Sequence, residues 1–168
     1  MALVQNGQRD AFAELFARHK DPLWAFLVRR SGDPEAAADL YQESFLRVWR
    51  SAPTYNRDQP FKPWLYRVAI NAARDRFRRS KREPEVVDVE SIEASGVLAP
   101  EIPPTDLEKA IKSLPDALRE AFVLGAVLGM DHNEVAGVLE ITPDNARARI
   151  SRARARLREL LVPAKGEA

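Results

Sequence analysis

The chain has 168 residues, 45% of them hydrophobic, which is enough for one or two small domains with a real core and excludes a disordered tail. It contains no cysteine, which excludes disulfides and thiolate metal sites and fits a reducing compartment. The net charge of +1 hides an uneven distribution: residues 1–83 hold 16 Lys and Arg against 10 Asp and Glu, residues 84–106 hold six acids and no base, and residues 107–168 hold 10 bases against nine acids. Such asymmetry points to contact with nucleic acid or another polyanion. No apolar run approaches the roughly 18–20 residues a membrane span needs, and the amino terminus has no basic start followed by an apolar stretch. A soluble, cytoplasmic protein without membrane insertion is expected.

Helical signals dominate, and β-branched alternation is almost absent. The periodicity predicts helices over about 9–30, 34–50, 62–80, 107–113, 116–128, 132–139 and 143–161. Asp33-Pro34 and Thr142-Pro143 each read as an N-cap followed by proline in the first helical position. Between the third and fourth helices, residues 83–106 carry four prolines, one glycine and no helical stripe. The expected fold is all-α: a three-helix domain over 1–83, an extended acidic linker over 84–106, and a four-helix domain over 107–168.

In the helix over 34–50, Ala37, Leu40, Tyr41, Phe45 and Val48 share the expected core side. Asp39, Gln42, Glu43, Leu46, Arg47 and Arg50 share the other. A leucine among charges is often only an exposed leucine, but one ringed by Asp39, Gln42 and Glu43 also describes a protein-docking face. The loop over 50–61 carries two prolines, and its Tyr55 and Asn56 have the chemistry to handle an unstacked base. In the helix that follows, Arg67, Asn71, Arg74 and Arg78 recur as one polar stripe, opposite Leu65, Val68, Ala69 and Ala72. From Trp64 to Arg82 there are seven bases and one acid, a pattern that tracks a phosphate backbone. Lys62 stands at the start of the same helix.

"DHNEVAGVLEITPDNARARISRARARL" has the form of a helix-turn-helix. Asp131 is placed to cap a short helix burying Val135, Ala136 and Leu139, and Glu140-Ile141-Thr142 makes the turn. On the second helix Ala146, Ile150, Ala153, Leu157 and Leu161 form one apolar stripe. Six arginines lie between Arg147 and Arg158, and no single water-facing side holds them all. A solvated helix would mix in acids at i,i+4 spacing, yet Glu159 is the only acid after Asp144 there. As a recognition helix it would present Asp144, Asn145, Arg147 and Ala148 to base edges, with Arg149, Ser151 and Arg152 reaching phosphates or guanines. Glu140 sits where such turns prefer glycine, so a strained or differently shaped turn is expected.

Together, "AADLYQESFLRVWRSA", "PFKPWLYRVAINAARDRFRR" and the block from "LPDALREAFVLGAVLGM" through the helix-turn-helix resemble the extracytoplasmic-function group of bacterial RNA polymerase sigma factors, over nearly the whole chain. The resemblance implies that Asp39, Gln42, Glu43 and Leu46 dock on the clamp helices of the polymerase β′ subunit. It implies that Tyr55, Asn56, Lys62, Arg67, Asn71, Arg74 and Arg78 belong to the elements that recognise and open the −10 promoter element. Thr142, Asp144, Asn145, Arg147, Ala148, Arg149, Ser151 and Arg152 would read the −35 element, in a domain that also contacts the β flap. The linker resembles the segment that threads toward the active-site cleft, and regulation by a separate anti-sigma factor is implied. "TPDNARAR" departs from the family's more usual run, which bears on the −35 sequence read.

A cofactor or catalytic role finds no support: His19 and His132 stand alone, and no glycine loop cradles a phosphate. The competing readings are a stand-alone helix-turn-helix regulator and an RNA-binding adaptor. The first leaves the acidic linker without a role, and the second lacks any recognised RNA-binding module.

Overall fold

A computed structural model of the chain describes residues 1–80 and 105–161, and every regular element among them is helical. The expected linker lies outside the described residues except at its last two positions, Thr105 and Asp106. These belong to the fifth helix instead: the Thr105 Oγ1 accepts the Glu108 N–H at 3.2 Å while the Glu108 carboxylate accepts the Thr105 N–H at 3.2 Å.

The first half contains α1 (Ala2–Gln5), α2 (Arg9–Ser31), α3 (Pro34–Ser51) and α4 (Phe61–Ser80). Gly32, in the left-handed conformation at φ 72°, ends α2. Asp33 then starts α3, its carboxylate accepting the Glu35 and Ala36 N–H groups at 3.3 and 3.1 Å. The three long helices meet over Leu23, Phe26 and Leu27 of α2, Ala37, Leu40 and Val48 of α3, and Leu65, Tyr66, Ala69 and Ile70 of α4. Phe12 and Phe16 of α2 meet Phe45 of α3 edge-on, with ring centroids 4.7 and 4.4 Å apart. The short α1 has no sequence signature; buried Val4 and a Gln5 Nε2 bond of 2.7 Å to the Tyr55 carbonyl hold it in place.

The second half contains α5 (Asp106–Ser113), α6 (Asp116–Phe122), α7 (His132–Leu139) and α8 (Pro143–Leu161). The predicted helix over 116–128 changes hydrogen-bonding pattern partway: after Phe122 the chain widens into one π turn, Val123–Val127, closed by the Leu128 N–H on the Val123 carbonyl at 2.9 Å. Gly125 lies in this turn beneath α8, where a Cβ would stand 2.6 Å from the Ile150 Cδ1. Asp131 caps α7 as expected, with Glu134 completing the reciprocal box.

The turn into α8 adopts the strained of the two expected forms. Glu140 has φ 59° and ψ 47° and is the one non-glycine residue with positive φ among those described. This conformation costs a residue with a Cβ about 1–2 kcal/mol. Ala146, Ile150, Ala153 and Leu157 of α8 are buried, but the stripe ends there: Leu161 is exposed, at the edge of an open cleft that α8 shares with Asp106, Lys109, Ala110 and Ser113 of α5.

The halves touch along two seams, α4 against α7 and the end of α2 against α5 and α6. The Arg30 guanidinium meets the Glu120 carboxylate at 2.8 Å in the second seam, with side chains only 19% and 10% exposed.

Candidate polymerase and promoter interfaces

On α3, the positions Asp39, Gln42, Glu43 and Leu46 fall on one helical face, as i, i+3, i+4 and i+7 spacing requires. Leu46 is 45% exposed, an apolar side chain standing among polar neighbours. Two ion pairs tie this face to α4. Asp39 accepts from Arg76 at 2.7 Å, and Arg47 bridges Glu43 and Asp75 at 2.6 Å each. Arg78 closes on the other Asp75 oxygen. The Arg47 and then the Arg78 guanidinium hold the Asp75 carboxyl below its usual range. The acidic face is therefore fixed in place, with Gln42 and Leu46 left to the solvent.

The loop before α4 is built differently from the sequence expectation at Tyr55. Its ring is 7% exposed, edge-on to Trp64 at 4.8 Å and to Phe61 at 6.2 Å, and its hydroxyl donates to the Gln59 carbonyl. Two aromatic rings of α4 give it an apolar seat, so here it props the loop rather than offering a face for stacking. Asn56 is exposed at the tip, and its Oδ1 accepts the Asp58 N–H at 3.0 Å. Tyr66 is fully buried against Phe26, and burial pushes its phenol far upward. His19 rests on the Phe61 ring at 5.1 Å; burial first, then Lys62 and Arg18, lower its pKa.

The basic stripe of α4 is present, but much of it faces the second half of the chain. Lys62 Nζ donates to the Leu128 carbonyl. Arg67 lines a cleft of about 290 Å³ with Trp64, Asn133, Glu134 and Gly137. Arg74 donates to the Leu139 carbonyl at 3.2 Å, lies 3.4 Å from the Glu140 carboxylate and approaches the Asn71 Oδ1 at 3.5 Å. Arg78 lies beyond the cleft, exposed and paired with Asp75. No sequence pattern pointed to these contacts, which join residues about 65 positions apart.

The first turn of α8 is open. Thr142 Oγ1 accepts the Asn145 N–H at 3.3 Å as the cap. Asp144, Asn145, Arg147, Ser151 and Arg152 are exposed; Ala148 and Arg149 are half-buried, Arg149 donating to Asn145 Oδ1 at 3.0 Å. Arg147 pairs with Asp144 at 3.3 Å. Arg154, Arg156 and Arg158 are exposed along the later turns. Among the described residues no cluster of three His, Asp or Glu is placed to hold a metal ion, and no helix is long and apolar enough to cross a membrane.

A helix-turn-helix with an exposed arginine-bearing second helix, carried beside a helical half with its own basic helix, defines a DNA-binding transcription factor. Comparison with known proteins narrows the class. Residues 15–83 match the family model of Sigma-70 region 2, and residues 105–157 match that of Sigma-70, region 4. The RNA polymerase sigma factor CarQ of Myxococcus xanthus is 36% identical over 165 residues, covering 96% of this chain and 95% of that protein. The ECF RNA polymerase sigma-E factor of Escherichia coli K12 is 33% identical over 166 residues, covering 90% and 86%. Among solved structures, the sigma factor RpoE in complex with the anti-sigma factor NepR from Bartonella quintana superposes with a TM-score of 0.74 at 26% identity, covering 90% of this chain and 96% of that one. CnrH in complex with the cytosolic domain of CnrY superposes with a TM-score of 0.69 at 32% identity, covering 95% and 93%. The chain belongs to the sigma-70 family, in its extracytoplasmic-function group. It is an alternative sigma factor, acting with core RNA polymerase in promoter-specific transcription initiation.

Proposed function

We propose that three separate surfaces divide this work. The α3 face of Asp39, Gln42, Glu43 and Leu46 docks on the β′ clamp helices of core polymerase. The loop tip at Asn56 and the α4 residues Lys62, Arg67, Asn71, Arg74 and Arg78 engage the −10 element, with Tyr55 positioning the loop. The start of α8, from Thr142 to Arg152, reads the −35 element, while its half of the chain also meets the β flap. The functional units are then residues 1–83 and 107–168, joined by 84–106; the family matches over 15–83 and 105–157 support this division. The protein works in the cytoplasm and is not an enzyme. An anti-sigma factor is a further partner, supported by structural relatives that carry one.

The observation that carries the docking assignment is Leu46, exposed on a face whose carboxylates are held still by Arg47 and Arg76. An apolar centre with a fixed polar rim is how a protein interface is composed. Leu46→Asp places a charge at that centre and should abolish core polymerase binding in a pull-down while far-UV circular dichroism stays unchanged. Wild-type core affinity in the folded variant would refute the assignment.

A further inference from the structure

We infer that Arg57 is a base-reading residue of the −10 loop, its guanidinium aimed by Gln5 of α1, and that it selects a base edge carrying two acceptors, the N7 and O6 of guanine. This rests on the reading of the loop tip as part of the −10 surface.

Tyr55 is the starting observation. Its ring is seated inward on Phe61 and Trp64, which leaves the exposed side chains of Asn56 and Arg57 at the tip to meet a base. The tip holds its own shape. The Gln59 N–H donates to the Asn56 carbonyl at 3.2 Å, the Asp58 N–H to the Asn56 Oδ1 at 3.0 Å, and the Tyr55 hydroxyl to the Gln59 carbonyl.

Gln5 reaches this tip from α1, 50 positions away from Tyr55. Its Nε2 donates to the Tyr55 carbonyl at 2.7 Å, and its Oε1 accepts from the Arg57 Nε. The partners fix which way the amide points, since a carbonyl needs a donor and an N–H needs an acceptor. One side chain therefore grips the loop on both sides of Asn56, by the main chain before it and the guanidinium after it. Gln5 is itself half-buried, next to Val4 at 4% exposure, so the grip comes from a seated residue.

A bond at Nε orients the plane of a guanidinium and leaves the fork of its two Nη groups unused. Among the described residues no carboxylate pairs with Arg57, and its Nη groups have no partner. A phosphate can be met from many directions, whereas the acceptors of a base edge are met only in the plane of the base. Asn56 has its Oδ1 taken by the Asp58 N–H, so its side chain also offers donors, from Nδ2. Two neighbouring side chains with donors to give call for a base with acceptors, and the arginine fork matches N7 and O6 of guanine. Gln5 touches no DNA in this arrangement; it is a positioning residue that acts through Arg57.

The test takes a promoter from the chain's own transcript starts, keeps its −35 element and randomises its −10 element. Core polymerase with the full chain transcribes the library, and base preference at each position is read by sequencing the transcribed templates. The parent should favour guanine at one −10 position. Arg57→Ala should cut that preference about 10- to 100-fold and leave the other positions unchanged. Arg57→Lys keeps the charge without the fork and should lose nearly as much. Gln5→Met keeps the side-chain length and removes both bonds; it should lower the same preference about fivefold, with no further loss in the Arg57→Ala background. A merely structural defect would lower output from all templates alike. If Arg57→Ala lowers output equally for every base, Arg57 meets phosphate and the proposal is overturned. A preference relaxed at a base other than guanine overturns the acceptor-edge assignment, and an unchanged preference in Gln5→Met overturns the role of α1. If Asn56→Ala relaxes a −10 position and Arg57→Ala does not, Arg57 is no reader although the loop is. If neither changes any −10 preference, the reading of the loop itself falls.

Discussion

Replacing Gly125 with alanine should loosen the seat of the recognition helix, and the loss should be recoverable at Ile150. An added Cβ would stand 2.6 Å from Ile150 Cδ1 and 3.4 Å from its Cγ1, with Val135 Cγ2 at 3.7 Å behind. Both neighbours are buried, Ile150 at 4% and Val135 at 0% exposure, so the methyl has little room to swing away. Overpacking of this kind costs about 1–3 kcal/mol. Alanine in place of glycine returns up to about 1 kcal/mol of helical preference, leaving a net loss of about 1 kcal/mol. Ile150→Val deletes the clashing Cδ1 and costs about 0.5–1.5 kcal/mol alone. In the double variant the new Cβ occupies the space Cδ1 vacated, so Gly125→Ala should be neutral or stabilising there. Urea unfolding of the full chain should be followed by far-UV circular dichroism, because Trp24, Trp49 and Trp64 all lie in the first half and fluorescence would report only that half. The expected coupling is at least about 1 kcal/mol. Additivity within about 0.5 kcal/mol would show that Ile150 is not what keeps position 125 small.

Arg149→Ala should weaken binding of −35 duplex DNA by about 1–3 kcal/mol, read as a shift in half-saturation; an unchanged affinity removes Arg149 from the reading surface. Asp75, held below its usual range by Arg47 and Arg78, stabilises the fold above about pH 4, and that contribution is lost as the pH falls through the lowered folded value. Stability of Asp75→Asn should therefore fall less steeply than wild type in an acid titration, and parallel curves would refute the pairing. Gln5→Ala removes both the bond to the Tyr55 carbonyl and the one that Gln5 Oε1 accepts from Arg57, each worth about 1 kcal/mol. Tryptic cleavage at Arg57 should then quicken about fivefold, and an unchanged rate would show that α1 does not restrain the loop.

The all-helical fold was legible because its helices announce themselves locally. Asp33-Pro34, Thr142-Pro143 and the Asp131 cap fix starts within a residue or so, and the apolar stripes choose the buried faces. What was not legible depends on residues far apart in the chain. The short α1 exists through Val4 and Gln5 and their tertiary partners, and the π turn at 123–127 answers to the fit of Gly125 beneath Ile150. Tyr55 looked like a loop aromatic free to stack, but Phe61 and Trp64 sit one helical turn apart and close on it. Leu46 on α3 and the first turn of α8 are exposed, as an apolar residue out of place on its helix and an arginine-bearing first turn led one to expect. The stripe on α4 could be recognised as basic, but its present neighbours across the seam could not, since no periodicity encodes an encounter between Arg74 and Glu140.

The most direct test of the account adds the purified chain to bacterial core RNA polymerase on sheared genomic DNA of its source and sequences the 5′ ends of the transcripts. Discrete starts preceded by a shared pair of −35 and −10 elements are predicted, and they should vanish with Leu46→Asp. Absence of starts, with the chain alone binding duplex promoter DNA tightly, would contradict it.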